Sequence, residues 1–326
     1  MKRRSFIQIG VTGGLAMQFS SILALNKSKL KFEMPKRQLG KTGEMVSIIG
    51  LGGIMLRNNG QEFANKIIAE AFDTGINYYD VAPGYGNSQE LMGPALEQFR
   101  KKSFLACKTQ KRMKVDAEAE LHDSLKKLKT DYFDLYQLHA IKNQEDIDQI
   151  FGPNGAIELF EKAKKEGKVK HLGFSAHNEE MALKAMDMYD FDTILYPINC
   201  VCWYNGNFGP KVFEVARQKG MGISALKAIA KMHVPKEEKN AYPNMWYIPF
   251  EEKKDLDNSL RFTLSKDIAA TVHAGDVKFF SKTIEFVRSH KKILPPDENK
   301  IKAMVQGIDP IFKHPNELPR RKRTGS

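Results

Sequence analysis

Two side chains that can move a proton lie five residues apart in the stretch INYYDVAPGYGNSQELMG, residues 76–93. Asp80 ends an apolar run, and Tyr85 follows it on a loop rich in glycine and proline. Two later apolar runs end near Lys108 and His139. A carboxylate, a phenol, an ammonium and an imidazole together suit proton donation coupled to a movement of charge.

The four groups have complementary electrostatic roles. A free tyrosine has a pKa of about 10, which is too high for an efficient acid at neutral pH. An ammonium lowers the pKa of a neighbouring phenol, and a buried ammonium in turn needs a carboxylate. We therefore predict that Asp80 pairs with Lys108 and that Lys108 lowers the pKa of Tyr85. The Tyr85 hydroxyl would protonate a developing alkoxide that a neutral His139 also hydrogen-bonds. No side chain supplies a hydride, whereas a nicotinamide cofactor would.

Each of these residues also has a structural explanation when it is taken alone. Asp80 could cap a turn, Lys108 could lie at an exposed rim, and His139 could be a hydrogen-bonded core histidine. The functional interpretation therefore depends on a fold that brings them together.

The elements that must position these residues alternate along the chain. Short β-rich apolar runs predict eight strands: Val46–Gly53, Ile76–Pro83, Ser103–Gln110, Phe133–Ala140, Val169–His177, Thr193–Cys200, Gly222–Ala228 and Ala269–Gly275. Helical periodicity fills the intervals: Glu62–Thr74, Ser88–Phe99, Ala117–Lys129, Ala156–Glu166, Glu179–Tyr189, Gly209–Lys219, Lys254–Leu264 and Phe279–His290. This alternation predicts an α/β protein with a single (β/α)8 TIM barrel.

A hairpin and a long connection complete the predicted fold. RQLGKTGEMV, before the first strand, predicts an N-terminal β-hairpin turned at Gly40–Gly43 that closes the bottom of the barrel. The connection 231–252 is too long for a simple loop and predicts a lid or a pocket wall. A doubly wound open sheet is the alternative, but GLGGIM is not the phosphate loop of that fold. In a barrel the carboxyl ends of the strands form one rim, where the four polar side chains would converge.

The chain resembles the aldo-keto reductase family over residues 35–290. Five stretches carry the resemblance: GINYYDVAPGYGNSQELMG, FLACKTQ, DSLKKLKTDYFDLYQLHA, GKVKHLGFSAHN and ALKAIAK. The resemblance implies a catalytic tetrad with Tyr85 as the general acid: Asp80, Tyr85, Lys108 and His139. It also implies an NAD(P)-dependent oxidoreductase that interconverts an aldehyde, ketone or sugar and its alcohol, with NADP(H) preferred over NAD(H).

The resemblance further implies which residues contact the cofactor. Ser175 matches a serine that binds the carboxamide, and Asn199 stands where a glutamine or asparagine usually does so. Leu226 occupies a position where many relatives stack a tyrosine on the nicotinamide, and Lys227 matches a lysine near the phosphates. The other expected contacts are Gly53, Gly275 and Lys278.

The sequence departs from the family pattern at several of these positions. Ala176 follows Ser175 where asparagine is common, and Asp276 would repel a 2′-phosphate, which leaves the choice between NADP and NAD open. No cysteine follows Cys202, so the iron–sulfur cluster of some relatives is not expected. Cys200 and Cys202 are predicted to alternate along a strand as small buried residues, and no metal site is expected.

The composition is that of an ordinary soluble globular protein, 42% hydrophobic and 28% charged. Seven of the twelve net positive charges lie in basic runs at the two ends, so nucleic acid is not an expected partner. A small-molecule carbonyl or sugar is the expected partner. No oligomer interface is evident, and a monomer is expected.

The first 25 residues have the features of an export signal. Arg3 and Arg4 precede Phe6 and a weakly apolar segment, as in twin-arginine signals. The predicted organisation is a signal segment 1–25, a barrel 35–310 and a basic disordered tail 311–326. The twin-arginine machinery and the periplasm are the expected partner and location, with no stable membrane span in the body. The alternative is a cytoplasmic protein whose N-terminus is not used as a signal.

Two other functions remain open from sequence. The weakened cofactor positions would suit a binding or regulatory protein on a reductase scaffold, although such a protein has no need of four clustered catalytic groups. Schiff-base chemistry at Lys108 would suit a barrel aldolase, although Tyr85 and Asp80 fit that chemistry less naturally.

Overall fold

The computed structural model describes residues 32–273, 275–290 and 292–317. The strands of this part are β1 Lys36–Gln38, β2 Met45–Ser47, β3 Ile49–Gly52, β4 Tyr78–Asp80, β5 Phe104–Thr109, β6 Phe133–Ile141, β7 Val169–Ala176, β8 Thr193–Pro197, β9 Gly222–Leu226, β10 Ala230–His233, β11 Tyr247–Pro249 and β12 Ala270–His273. The helices are α1 Gln61–Asp73, α2 Ser88–Leu96, α3 Lys114–Lys127, α4 Gln144–Phe151, α5 Ala156–Lys165, α6 Glu179–Met188, α7 Cys200–Asn205, α8 Pro210–Gln218, α9 Lys253–Leu264, α10 Val277–Ser289 and α11 Glu298–Val305. The predicted signal segment 1–25 lies outside the described residues.

Eight strands close into one parallel barrel. Strands β3 to β9 pair in chain order, and β12 joins β9 to β3. Strands of such a barrel are covered on both faces, which explains why they are continuous apolar runs in the sequence rather than alternating ones. The prediction of a (β/α)8 barrel is confirmed.

The predicted hairpin lies at the amino end of the barrel. β1 and β2 pair antiparallel, and the turn between them places Leu39 in the barrel core. There Leu39 lies with Tyr78, Phe104 and Ala270, the first residues of β4, β5 and β12. A Cβ on Gly222 would approach the Leu39 side chain to 2.7 Å, so glycine at the start of β9 makes room for it. The hairpin therefore closes the bottom of the barrel.

Two predicted strands run across the boundary between two elements. The first predicted strand divides at Ile48, because Val46 belongs to the hairpin strand β2 and only β3 enters the barrel. The predicted strand Thr193–Cys200 ends at Pro197, where the Asn199 side chain caps a new helix. The cysteines predicted to alternate along a strand therefore lie in helix α7, although all three cysteines are buried.

The chain after β9 is more ordered than the sequence indicated. The long connection 231–252 contains most of β10 and all of β11, which form a two-stranded antiparallel sheet. Ile311 is buried, and the Phe312 ring stacks on His177 with centroids 5.1 Å apart. Ordered structure thus extends to residue 317, past the predicted start of the tail, while residues 318–326 lie outside the described chain. Within the described ranges, no helix combines the length and the apolar character that a membrane span requires.

Candidate active site

A buried ion pair lies at the carboxyl end of neighbouring strands β4 and β5. Asp80 is the last residue of β4, and the Lys108 ammonium of β5 donates to its carboxylate. The side chains are 2% and 1% exposed, so each charge depends on the other. The Gln137 amide of β6 donates to the second Asp80 oxygen over 3.2 Å. Gln137 was not predicted, although it precedes His139 by two residues and so shares its face of the strand.

Tyr85 reaches this pair from the loop between β4 and α2. Its backbone N–H donates to Ala82, and its carbonyl accepts from the Ser88 hydroxyl, so the loop is held at both ends. The Lys108 nitrogen lies 5.3 Å from the centre of the Tyr85 ring. The His139 ring lies edge-on to the same ring, with centroids 5.8 Å apart. The structure therefore brings all four residues of the predicted tetrad together.

Burial and neighbouring charges together set the protonation states of Tyr85 and Lys108. Burial raises the pKa of Tyr85, the Lys108 charge lowers it and the Asp80 charge raises it, so the pKa lies above the ordinary 10.0. The sequence predicts a lowered pKa for Tyr85; Lys108 does act in that direction, but burial outweighs it. Burial lowers the pKa of Lys108, yet Asp80 and Tyr85 raise it more, so it exceeds its ordinary value. The phenol and the ammonium are therefore both protonated at neutral pH.

His139 is held in its neutral form. Burial lowers its pKa well below the ordinary value, and the positive charges of Lys108 and Arg112 lower it further. Its Nδ1 is buried and has no hydrogen-bond partner within the described residues. The next residue, Ala140, has φ +53°, a left-handed conformation that costs an alanine about 1–3 kcal/mol. A neutral imidazole with an unsatisfied nitrogen can hydrogen-bond an uncharged oxygen.

Ser175 and Asn199, predicted to contact a carboxamide, already hold protein groups. The Ser175 hydroxyl accepts from the Ala140 N–H over 2.8 Å, and its own proton can donate to a ligand. The Asn199 oxygen accepts from the Cys202 N–H over 2.8 Å, and its nitrogen lies 3.4 Å from the Cys202 sulfur. Asn199 therefore caps α7, where both polar atoms of its side chain already have protein partners.

Lys227 and Leu226 lie at the end of β9. Leu226 packs against the barrel core, and Lys227 has φ +57°. The Lys227 nitrogen lies 3.3 Å from the His177 ring nitrogen and 5.4 Å from the centre of the Trp246 ring. Burial lowers the pKa of Lys227 to about 8. This places a weakly basic amine beside aromatic rings at the barrel mouth.

The three remaining predicted contacts differ in accessibility. A Cβ on Gly53 would lie 2.8 Å from the Val81 side chain, so glycine there is explained by packing against β4. Gly275 has φ +94° and lies beneath the side chain of Met245, which belongs to the long connection 231–252. Lys278 is exposed in the first turn of α10, with its nitrogen 4.0 Å from Glu251.

The residues at the inner part of the mouth fit a nicotinamide, and those near α10 fit a 2′-phosphate less well. His139 and His273 keep buried ring nitrogens without partners in the described chain, and Ser175 has a proton to donate. Near α10, the Asp276 carboxylate caps the helix by accepting from the Lys278 N–H over 2.8 Å. Lys227 at the mouth and Lys278 on α10 would attract the cofactor phosphates, whereas the charge of Asp276 would repel a 2′-phosphate.

The fold and the arrangement at its mouth are those of a (β/α)8-barrel oxidoreductase. The profile of the Aldo/keto reductase family matches residues 48–290. The chain belongs to the aldo/keto reductase family. A solved structure, the holo form of aldo-keto reductase AKR11C1 from Bacillus halodurans, superposes with a TM-score of 0.67, covering 88% of this chain and all of that one at 23% identity. That likeness shows the shared fold.

Several curated proteins are similar over part of their length. The uncharacterized oxidoreductase YqkF of Bacillus subtilis is 36% identical over 157 residues, 44% of this chain and 49% of that protein. L-galactose dehydrogenase of Arabidopsis thaliana is 27% identical over 211 residues, 60% and 65% of the two chains. The 6-dehydroglucose reductase of Novosphingobium aromaticivorans is 29% identical over 196 residues, 52% and 62%. The chain thus spans about half to two thirds of these relatives.

Proposed function

We propose that the protein is an NAD(P)-dependent oxidoreductase that interconverts an aldehyde or ketone and its alcohol, with Tyr85 as the general acid. The observation that carries the proposal is the convergence of Tyr85 and His139 on the buried Lys108–Asp80 pair. Three separate strands and one loop supply these groups, and their burial would be costly without a function for them.

The protonation states favour the reductive direction. Tyr85 carries a proton at neutral pH, and the Lys108 charge makes it a stronger acid than burial alone would leave it, so it can protonate a carbonyl oxygen as negative charge develops there. The Lys108 ammonium stabilises the phenolate left behind, and Asp80 with Gln137 holds the ammonium in place. Neutral His139 hydrogen-bonds the reacting oxygen without competing to protonate it. When bound, a reduced nicotinamide supplies the hydride that no side chain can provide.

We expect NADP(H) to be preferred over NAD(H). Lys227 at the mouth and Lys278 at the start of α10 supply positive charge for the cofactor phosphates. The Asp276 carboxylate would oppose the 2′-phosphate of NADP(H). Fluorescence titration of the purified protein with NADPH and NADH measures the preference. Asp276→Asn should strengthen NADPH binding and leave NADH binding unchanged, and an equal effect on both would contradict this role.

We propose a sugar or sugar-like carbonyl as the substrate class. The support is that two relatives are an L-galactose dehydrogenase and a 6-dehydroglucose reductase, and that aromatic side chains line the mouth. Trp246, 47% exposed, lies 5.7 Å from Phe312 between ring centroids and can stack on a sugar ring. Trp246→Ala should raise KM for sugar aldehydes more than for a short aliphatic aldehyde. An equal change for both classes would count against the sugar assignment.

Removing the Tyr85 hydroxyl tests the proposed acid. Tyr85→Phe should bind nicotinamide cofactor as the wild type does and reduce aldehydes at least about a hundredfold more slowly, because general acid catalysis contributes that much. Tyr189→Phe, a tyrosine at the end of α6, is the matched control. Turnover that is unchanged in Tyr85→Phe would exclude this role.

The same assays separate the two alternative functions. A binding or regulatory protein would hold cofactor without turnover of any carbonyl substrate. Schiff-base chemistry at Lys108 is not favoured, because its raised pKa leaves the amine protonated and therefore not nucleophilic. Borohydride with a carbonyl substrate should leave Lys108 unmodified.

We also propose that residues 1–25 direct export to the periplasm through the twin-arginine machinery. The support is the Arg3-Arg4-Ser5-Phe6-Ile7 sequence. Replacing both arginines with lysine should retain the protein in the cytoplasm, whereas Lys2→Gln should not. An exported reductase needs a firmly held cofactor, so exported protein should be purified with nicotinamide absorbance; cofactor-free protein would contradict that expectation.

A further inference from the structure

The strand that carries His139 departs from regular geometry at this residue. The pairing of β6 with β7 shifts register between Leu138 and Ile141. Within the shift, Ala140 adopts φ +53°. A bulge of this kind redirects a side chain, and its backbone groups need partners outside the sheet. The direction of the His139 side chain is therefore set by whatever holds the bulge.

The Arg112 side chain supplies partners for the carbonyls of this bulge. Its Nη2 donates to the His139 oxygen over 2.9 Å and to the Ala140 oxygen over 3.2 Å. The guanidinium also donates to both oxygens of Asp146, from Nε over 2.8 Å and from Nη2 over 3.2 Å. Its side chain is 9% exposed. Two contacts to one carboxylate fix the plane of a guanidinium in a way that a lysine does not reproduce.

Asp146 connects the guanidinium to the chain that leaves β6. It accepts from the Lys142 N–H over 2.7 Å, and its own N–H donates to the Asn143 side chain. The Ser175 hydroxyl holds the remaining polar group, the Ala140 N–H. The donors and acceptors of the bulge are thus held from β7 and from the segment after β5.

We propose that Arg112 is a positioning residue, whose guanidinium, oriented by Asp146, fixes the backbone bulge that aims the His139 imidazole at the reacting oxygen. The catalytic part of this assignment rests on the proposed reductase function. The mechanical part, that Arg112 determines the environment and orientation of His139, is independent of that function.

The electrostatics of His139 provide a readout that is independent of turnover. The charged and titratable groups around it come from six elements or loops: Tyr85, Lys108, Arg112, Lys142, His177 and Lys227. After burial and Lys108, Arg112 is the next cause of the lowered pKa of His139. Removing this charge should therefore raise the pKa of His139. Arg112→Lys keeps the charge but loses the two-point contact with Asp146.

The experiment compares Arg112→Lys, Arg112→Met and the matched surface control Arg217→Met, whose arginine pairs with Glu214 on α8. The pKa of His139 is measured by NMR of ring-labelled histidine, assigned with His139→Gln, and kcat and KM are measured against pH. We expect the methionine variant to raise the pKa of His139 and to move the acid limb of the kcat profile to higher pH. Both Arg112 variants should lose about tenfold or more in kcat at little cost in cofactor affinity, because small misplacements of catalytic groups are expensive.

The outcomes distinguish the positioning role of Arg112 from the proposed reductase reaction. An unchanged His139 pKa in Arg112→Met, with kcat also unchanged in both variants, would overturn the proposal. If no carbonyl substrate is turned over, the NMR result still decides the mechanical part, and only the reductase function fails. If the methionine variant does not fold, Arg112→Lys and Asp146→Asn decide: both retain the guanidinium or ammonium charge, and both must shift the His139 ring resonances.

Discussion

The Asp80–Lys108 pair buries two opposite charges, each of which has the other as its partner. A buried pair adds little net stability, but removing one partner leaves an uncompensated charge. Asp80→Ala should therefore lower the free energy of unfolding by about 3–5 kcal/mol, measured by urea denaturation. The exposed pair Lys129–Glu97 is the control, since Glu97→Ala should cost no more than about 1 kcal/mol. Equal losses in the two variants would show that the buried pair is not charged.

Tyr85 should retain its proton in cofactor-free enzyme beyond the range of an exposed tyrosine. The difference in phenolate absorbance between the wild type and Tyr85→Phe, followed against pH, reports this one group. Because burial outweighs the effect of Lys108, the missing phenolate should titrate above the ordinary pKa of 10.0. Lys108→Met removes the ammonium and should move the titration still higher. A phenolate that forms near neutral pH would support the lowered pKa predicted from sequence and contradict the raised pKa that burial implies.

The catalytic candidates were predictable, and their supports were not. Asp80, Lys108 and His139 end apolar runs, and ionisable residues at that place in a barrel strand are visible in a sequence. Gln137 and Arg112 look ordinary, because one lies inside a strand and the other follows a lysine in a loop. Only the register of β6 against its neighbours shows what they hold. The net pKa of Tyr85 also depended on burial, which spacing does not reveal.

The bulge in β6 is where local backbone preference was overruled by the tertiary structure. Ala140 lies in a left-handed conformation that β-branched residues rarely adopt. Ala140→Val should therefore destabilise the protein by about 2 kcal/mol or more and lower kcat, because the bulge orients His139. Ala140→Gly adopts this φ without strain and should cost less than about 1 kcal/mol. Chemical denaturation of both variants checks the order, and equal losses would mean that the φ angle is unimportant.

The barrel strands were predicted because each is buried on both faces, and the hairpin was predicted from its glycines. The sequence did not show where one element ends and the next begins. Asn199 caps a short helix immediately after Pro197, so an apolar run that looked like one strand contains two elements. The order at Phe312 depends on a contact with His177, far away in the sequence, and no local pattern indicates it.

The stability of the whole barrel should depend on a histidine that has no hydrogen-bond partner within the described residues. His273 is 5% exposed, and burial lowers its pKa to about 3. The unfolded chain binds a proton at this residue below its ordinary pKa of 6.5, whereas the folded chain does not. The stability due to neutral burial is therefore complete above about pH 6.5 and lost as the pH falls, by up to about 1.4 kcal/mol per unit.

Replacing His273 should make the protein less sensitive to acid. Between about pH 7 and pH 5, His273→Leu should lose about 2 kcal/mol less of its free energy of unfolding than the wild type. Urea denaturation at the two pH values measures the difference, with the exposed His122→Gln as control. Parallel losses in wild type and His273→Leu would show that His273 is not buried in its neutral form.

The reaction that we propose at the mouth of the barrel transfers a hydride from a nicotinamide and a proton from Tyr85. Its most direct test uses NADPH deuterated at the transferring position, a sugar aldehyde, and mass spectrometry of the alcohol. The wild type should place one deuterium on the former carbonyl carbon, and Tyr85→Phe should bind the cofactor yet form little labelled product. An unlabelled alcohol from the wild type, or equal labelled product from Tyr85→Phe, would contradict the account.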